Sequence, residues 1–447
     1  MKFNLSTQIS LSHVSKKLYC PDDVFELSRV TQLEQIRTTI YETNSEGSIV
    51  VAKRIASLIR ERQQIGKKVV LSLALGRSTR DIVAELVRLH KEEGLSFSNV
   101  VLFDLFEYYP LHDAATGNHA QLHNQLIDLV DIDAANVHAI PCDLKESEIM
   151  AFCAEYEKSI IAEGGIDFML LGIGRRGNIG FNEPGSQFSS QTRLVLLDNN
   201  SKEDARVLFG NTEQVPVSAI TMGIDTIMQA KEVALVAWGD HKAGVVKAAI
   251  ETPFSTACPA SVLQQHKNAQ VVIDLSAASS LTRINQPWVV TSCEWDDQLI
   301  RRAVVWLCQQ INKPILKLTN KDYNDFGLSE LITQFGSAYN CNIKVFNDLQ
   351  HTITGWPGGK PNADDTNRPE RAKPFPKDIV IFSPHPDDDV ISMGGTFQRL
   401  INQGHNVHVA YETSGCIAVC DEEVVRFMDF MKGYKQMLIP GDEVIEK

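Results

Sequence analysis

The chain has 447 residues, 43% of them hydrophobic and 22% charged, and a formal net charge of −13. That length exceeds what one core usually organises, so two or more domains are expected. The acidic balance argues against a nucleic-acid or membrane partner, because an anionic surface selects clustered Lys and Arg.

Met1 to Val14 alternate polar and apolar residues without an apolar run, unlike a signal peptide, and no stretch approaches the roughly 18 apolar residues of a membrane span. A helix is expected over Gly47–Gln64. From about residue 67 to about 275, short apolar runs alternate with amphipathic stretches. Strands are expected at Lys68–Leu75, Val100–Leu105, Val137–Pro141, Asp167–Ile173, Arg193–Leu197, Val233–Trp238 and Gln270–Leu275. Helices are expected at Thr79–Glu93, Gln121–Val130, Glu146–Glu163 and Lys242–Ile250. That alternation predicts an α/β fold, a mostly parallel, Rossmann-like sheet with helices on both faces. Ligands of such folds gather at the carboxyl ends of strands. Leu75-Gly76-Arg77-Ser78, Phe106-Glu107 and the loop from Gly172 all fall there.

Beyond this first domain, a further α/β stretch is expected over 286–354, with strands at Trp288–Ser292 and Ile343–Phe346 around a helix at Gln298–Gln310. Five prolines and three glycines among charged residues mark Gly355–Lys377 as a linker. A new β-α-β unit then opens with Ile379–Ser383, a helix around Ile391–Asn402 and a strand at His408–Tyr411. The nine cysteines are irregularly spaced and read as reduced thiols of a cytoplasmic protein. Cys416 and Cys420 have neither a Cys-x-x-Cys spacing nor a second pair, which disfavours a metal site there.

Two motifs carry chemistry. Gly76, Arg77, Ser78 and Thr79 join a strand to a helix, where amides and hydroxyls at the helix N-terminus bind phosphate, or where Ser78 serves only as a cap. Gly172-Ile173-Gly174-Arg175-Arg176-Gly177-Asn178-Ile179-Gly180-Phe181-Asn182-Glu183-Pro184 packs four glycines into nine residues, which lets backbone amides approach a ligand closely. This second stretch resembles the signature loop of the glucosamine-6-phosphate deaminase family, which ends in Phe-Asn-Glu-Pro. The likeness extends over about residues 37–280, including Gln191-Thr192-Arg193 and Gly239-Asp240-His241-Lys242-Ala243.

The resemblance implies a sugar-phosphate pocket and no cofactor for the first domain. It places Lys242 on the substrate phosphate, Arg193 at the effector site of allosteric members, and Arg206 as a further phosphate ligand. Gly76-Arg77-Ser78-Thr79 stands where the family has Gly-Gly-Thr-Pro. The family's reaction needs a carboxylate proton shuttle and a carboxylate-supported imidazole for ring opening. Here the shuttle aspartate is Phe106, while the aspartate and histidine of the signature loop are Arg176 and Asn178. Glu183 remains, as an acid–base group or as a structural carboxylate. Asp104 and Glu107 are the candidate replacement bases. Asp104 sits two residues before Phe106, roughly 6–7 Å back along a strand, and Glu107 points the other way.

Ser383-Pro384-His385-Pro386-Asp387-Asp388-Asp389, followed by Gly394-Gly395-Thr396, resembles the LmbE/PIG-L-like N-acetylglucosaminyl deacetylases. That likeness implies zinc on His385 and Asp388 with Asp387 as general base, chemistry that suits an imidazole and carboxylates. The family's third ligand is a histidine far downstream, so a fragment of a longer polypeptide, with an empty or weak zinc site, is expected.

Together the resemblances imply a fused amino-sugar enzyme. Its first domain would convert glucosamine 6-phosphate to fructose 6-phosphate and ammonia, ahead of a deacetylase segment at 378–447. The alternatives are a sugar-phosphate sensor, or an isomerase or lactonase on another sugar phosphate. The expected partners are a small amino-sugar phosphate and further copies of the same chain in a homo-oligomer.

Overall fold

The computed structural model describes residues 14–111, 113–352, 378–402, 404–414 and 420–438. Met1–His13, the expected linker Gly355–Lys377 and Cys416 lie outside them. The chain forms two compact units, Met1–Glu294 and Trp295–Lys447.

The first unit is built on a seven-stranded sheet: β1 (Arg37–Tyr41), β2 (Val69–Leu73), β3 (Val100–Phe103), β5 (Val137–His138), β6 (Phe168–Gly172), β9 (Val233–Ala237) and β10 (Ala269–Asp274). Every pairing is parallel, in the order β1-β10-β9-β6-β2-β3-β5. The central strands read as nearly continuous apolar runs, broken in β2 by the buried Ser72, because both their faces are covered; all five residues of β2 and of β9 are buried. Helices Asn44–Gln64 and Arg80–Glu93 cover one face through Val51, Ile55, Ile82 and Leu86. Helices Glu146–Ala162 and Ala243–Glu251 cover the other through Ile149, Tyr156, Val246 and Ile250. Burial of each such side chain contributes about 1.5–3 kcal/mol.

Local signals set the helix ends. Thr43 and Glu46 form a capping box that starts Asn44–Gln64, and Gly94, left-handed at φ 65°, ends Arg80–Glu93. The helix expected at Gln121–Val130 instead runs Asn118–Gln125 and continues as a 3₁₀ turn at Ile127–Leu129.

A second, antiparallel sheet of three strands flanks the first. It comprises β4 (Phe106–Tyr109), β7 (Arg193–Leu196) and β8 (Ser218–Thr221). Arg193–Leu196 therefore belongs here and not to the parallel sheet. β1, β4 and β8, of four or five residues each, add to the strands expected from the sequence; β1 and β4 carry polar residues among their apolar ones and so lack the apolar run of the central strands.

In the second unit the expected α/β character of 286–354 is corrected. Trp288 lies in a 3₁₀ turn, Pro287–Val289, at the end of the first unit. Residues 297–352 then form helices Asp297–Ile311, Asn320–Asp325, Ser329–Phe335 and Ala338–Thr352. Ile343–Phe346 lies inside the last of these. Its buried residues, Ala338, Cys341, Asn342 and Val345, recur at three- and four-residue steps, a helical stripe and not a strand alternation. Further on, β11 (Asp378–Ser383) and β12 (Asn406–Tyr411) pair in parallel, joined through short helices Asp388–Ile391 and Gly394–Asn402. Among the described residues no helix is long and apolar enough to cross a membrane.

Candidate active site

Strands β9, β6, β2 and β3 are consecutive neighbours, so the turns that leave their carboxyl ends lie side by side. Two hydrogen bonds tie these turns together. Trp238 Nε1, just after β9, donates to the Ser78 carbonyl at 2.6 Å. Lys242 Nζ donates to the Ile173 carbonyl, just after β6, at 2.7 Å. The turns singled out in the sequence thus converge on one rim.

In the first turn, Gly76 and Arg77 are exposed and the helix begins at Arg80. Thr79, not Ser78, is the N-cap; it is buried, makes no side-chain capping bond, and turns its hydroxyl to the Gly76 carbonyl at 3.4 Å. The positive end of the helix dipole faces the rim. Arg77 and Arg175 stand close enough to Lys242 to help burial push its ammonium below the ordinary lysine value, with Asp204 opposing them. Asp204 is paired with Arg175 at 2.5 Å. Arg206 is exposed and pairs with Glu203 on its own helix at 2.8 Å.

The glycine-rich loop closes on itself. Gly174 N–H donates to the Asn178 carbonyl at 2.9 Å, and a Cβ at Gly174 would collide with the Asn178 side chain. Gly177, at φ 81°, packs against Cys258 and accepts from Ala260 N–H at 2.7 Å. Asn182 is fully buried; its amide nitrogen donates to the Ile179 and Met222 carbonyls, and its oxygen accepts from Arg193 at 2.9 Å. Arg193 also reaches the Ser186 hydroxyl at 3.3 Å, so it braces this loop.

Glu183 accepts a short hydrogen bond from the Ser201 hydroxyl through Oε1, while its Oε2 is buried without a protein partner. Burial pushes its carboxyl above the usual carboxylate range; Ser201 and Arg176 pull the other way, and Asp198 adds to the rise. Arg176 binds Asp198 at 3.2 Å, and Asp198 also caps the helix Asn199–Phe209 by accepting from Ser201 N–H at 2.7 Å.

Phe106 is half-buried and packs on Phe181 of the loop, ring centroids 4.4 Å apart. The two candidate bases beside it are deeply placed. Asp104, 1% exposed, holds His119 Nδ1 at 2.9 Å and accepts from Ile140 N–H at 3.1 Å. Glu107, 2% exposed, accepts from the backbone amides of Tyr108, Asn118 and His119 at 2.7–2.8 Å. It thereby caps the helix Asn118–Gln125, which has no side-chain cap of its own at Gly117. His119, Ser201, Asp198 and Trp238 escaped the sequence reading. Only Asp198 carried a local signal, as an N-cap three residues before Ser201.

In the second unit, His385 Nδ1 lies 2.9 Å from Asp388 Oδ2, which also accepts from His385 N–H at 3.1 Å. Asp387 is the N-cap of Asp388–Ile391. Asp389 is buried against Ser383 and Tyr411. Among the described residues no group of three or more His, Cys, Asp or Glu is arranged to hold a metal ion. His385 and Asp388 supply two donors where zinc takes at least three from protein, so the described residues do not make a zinc centre.

A family model described as glucosamine-6-phosphate isomerases/6-phosphogluconolactonase matches residues 42–273, and one described as GlcNAc-PI de-N-acetylase matches residues 380–427. A Bacteroides thetaiotaomicron protein described as glucosamine-6-phosphate deaminase-like is 59% identical over 446 residues, spanning 100% of this chain and 67% of that protein. The glucosamine-6-phosphate deaminase of Shewanella woodyi is 43% identical over 242 residues, 53% of this chain and 89% of that enzyme. A solved structure of a monomeric glucosamine-6-phosphate deaminase superposes with a TM-score of 0.52 at 34% identity, covering 55% of this chain and 100% of that one.

Proposed function

Because this chain belongs to the glucosamine-6-phosphate isomerase/6-phosphogluconolactonase family, we propose that its first unit binds an amino-sugar phosphate without performing deamination by the family's acid–base route. The phosphoryl group would lie between the helix N-terminus at Gly76–Arg80 and the Lys242 ammonium, with Arg77 and Arg175 adding positive charge. Two elements of positive potential, one a dipole and one a formal charge, are what a dianion selects.

The observation that carries the second half is the fate of the acidic groups. A phenylalanine cannot move a proton, and Arg176 and Asn178 cannot replace a carboxylate and an imidazole. Asp104 and Glu107 are held in the interior by His119, Ile140 and the three backbone amides. Loss of one acid–base group typically lowers a rate by about 10²–10⁴-fold, and losses within one unit are not additive.

The test is to incubate the full chain with glucosamine 6-phosphate and follow ammonia and fructose 6-phosphate, while titrating the sugar phosphate by calorimetry. Saturable binding without turnover is the expected result. Turnover at a rate typical of enzymes would show that Asp104, Glu107 or Glu183 does move the proton.

One observation favours a second reading. Glu183 Oε2 is buried and unpartnered, and the carboxyl is pushed up, the state of a group able to donate or accept a proton. A Glu183-dependent isomerase or lactonase reaction on another sugar phosphate would be abolished by Glu183→Gln while binding persisted. The segment 378–438 supports a deacetylase-like β-α-β unit. Zinc there, on His385 and Asp388 with Asp387 as base, belongs to the proposal and needs a further ligand.

A further inference from the structure

Asp104 follows β3, the neighbour of β2 in the sheet, so it stands one strand along from the Gly76 turn. Its side chain is fully buried; Oδ2 accepts from Ile140 N–H at 3.1 Å, and Oδ1 has no partner among the described residues. A carboxylate held so deeply calls for a cation or a proton donor beside it. His119 Nδ1 lies 2.9 Å from Asp104 Oδ2 and is buried there. The His119 side chain is nevertheless 28% exposed. With Nδ1 turned inward, the accessible edge of the ring carries Nε2.

The surroundings fix this pair. Asn118 Nδ2 donates to the Phe106 carbonyl at 3.1 Å, which pins the start of the helix Asn118–Gln125 beside Phe106. His119 N–H donates to Glu107 at 2.7 Å, and the Tyr156 hydroxyl bonds the backbone carbonyls of Asp104 and His138, clear of the carboxylate. His123, one turn on, meets the His119 ring edge to face at 4.8 Å and pairs with Asp128 at 2.8 Å. Asp104 pushes the His119 imidazole above the ordinary histidine value, with burial opposing and Glu107 adding to the rise. A buried carboxylate that orients one ring nitrogen and leaves the other open is the arrangement of an imidazole acid–base group.

We propose that His119, positioned by Asp104, is a catalytic acid–base residue of the first unit, and that it opens and recloses the ring of a hexose 6-phosphate held at the rim. This rests on the phosphate-binding reading above. Ring opening asks only that a proton move between two oxygens bonded to the same carbon, which one imidazole can serve. The anomeric O1–H passes its proton to Nε2, the C1–O5 bond breaks as the C1=O1 bond forms, and the imidazolium returns the proton to O5. Reclosure on the other face of C1 gives the other anomer. No carbon-bound proton is removed, so the step needs neither a carboxylate at the place of Phe106 nor release of the nitrogen.

The experiment measures α–β exchange of glucose 6-phosphate and glucosamine 6-phosphate by proton exchange NMR on the full chain, from about pH 5.5 to 8.5, the range in which an imidazole titrates. The expected result is an exchange rate above that of buffer, saturating with sugar phosphate and suppressed by inorganic phosphate. His119→Gln can still donate to Asp104 but cannot exchange a proton. It should lower the acceleration about 10²-fold or more while calorimetric affinity for the sugar phosphate holds. Only the neutral imidazole accepts a proton, so the acceleration should rise with pH through the elevated His119 value. Asp104→Asn, which leaves His119 in place, should move that limb to lower pH and lower its plateau.

Binding without accelerated exchange overturns ring opening while the phosphate-binding reading stands. Acceleration that survives His119→Gln, with the fold intact by circular dichroism, removes His119 as the acid–base group. A limb unmoved in Asp104→Asn removes Asp104 as its positioning residue. If neither the sugar phosphates nor inorganic phosphate bind, the reading beneath the inference falls with it.

Discussion

Lys242 is where a single residue connects the sequence to the site. Its ammonium donates to the Ile173 carbonyl, so the cation is fixed before a ligand arrives. Burial, helped by Arg175 and Arg77, lowers its proton affinity. The sign of the pH effect follows from this. In the free protein Lys242 begins to lose its proton below the ordinary lysine value, and a bound dianion draws the proton back. Phosphate binding at alkaline pH should therefore take up protons and weaken as pH rises through the lowered value. Calorimetry in buffers of different ionisation enthalpy reads that uptake directly. Lys242→Met should abolish the uptake and weaken binding about 10–100-fold, the scale of one charge-assisted hydrogen bond. Undiminished affinity in that variant would remove Lys242 from the site.

At the scale of elements, the segment 104–119 shows how buried carboxylates become scaffold. β4 leaves the end of the parallel sheet and joins an antiparallel one, so the chain turns sharply between Asp104 and Phe106. Glu107 is drawn inward and completes the N-terminus of Asn118–Gln125. A Cβ at Gly117 would meet Glu107 Oε2 at 2.8 Å, so the carboxylate fits only because that residue is glycine. Glu107→Ala should lower stability by about 3 kcal/mol or more, since each hydrogen bond to a charged acceptor contributes about 1.5–3 kcal/mol and three donors lose theirs. Hydrogen exchange should show lost protection at Tyr108, Asn118 and His119. Unchanged exchange at those amides would contradict the capping role.

At the scale of the whole molecule, the first unit is fastened by a buried ion pair between segments far apart in sequence. Arg283 Nε lies 2.8 Å from Glu34 Oε1, with side chains 1% and 3% exposed. Burial is the largest influence on both partners. It pushes the Glu34 carboxyl up to about 7 despite the opposing pull of Arg283, with Glu251 adding to the rise. The folded state thus holds this proton more tightly than the unfolded chain between about pH 4.5 and 7. Through this group, stability is highest at the acid end of that window and falls as pH rises across it. Glu34→Gln should flatten that slope in thermal unfolding. Removing one partner, as in Arg283→Met, should cost about 3–5 kcal/mol at neutral pH, and the double variant Glu34→Leu/Arg283→Met should recover most of it.

The sequence by itself determined the α/β class, the parallel core strands and the identity of the family's signature loop. Those features are local: continuous apolar runs, capping residues, and glycines where a side chain would collide. The resemblance also implied that Phe106, Arg176 and Asn178 stand at positions the family uses for proton transfer. The sequence did not reveal the helical stripe of 338–352, because that run of apolar residues is too short to separate a buried strand from a helix by pattern. Only the tertiary structure decided which partners each carboxylate meets. Asp104 met His119, Glu107 met the Asn118 helix, and Glu183 met Ser201, pairings 11 to 18 residues apart. The physical reason is that a side chain's role depends on the partners folding brings to it, and contacts at that separation leave no periodic trace in the chain.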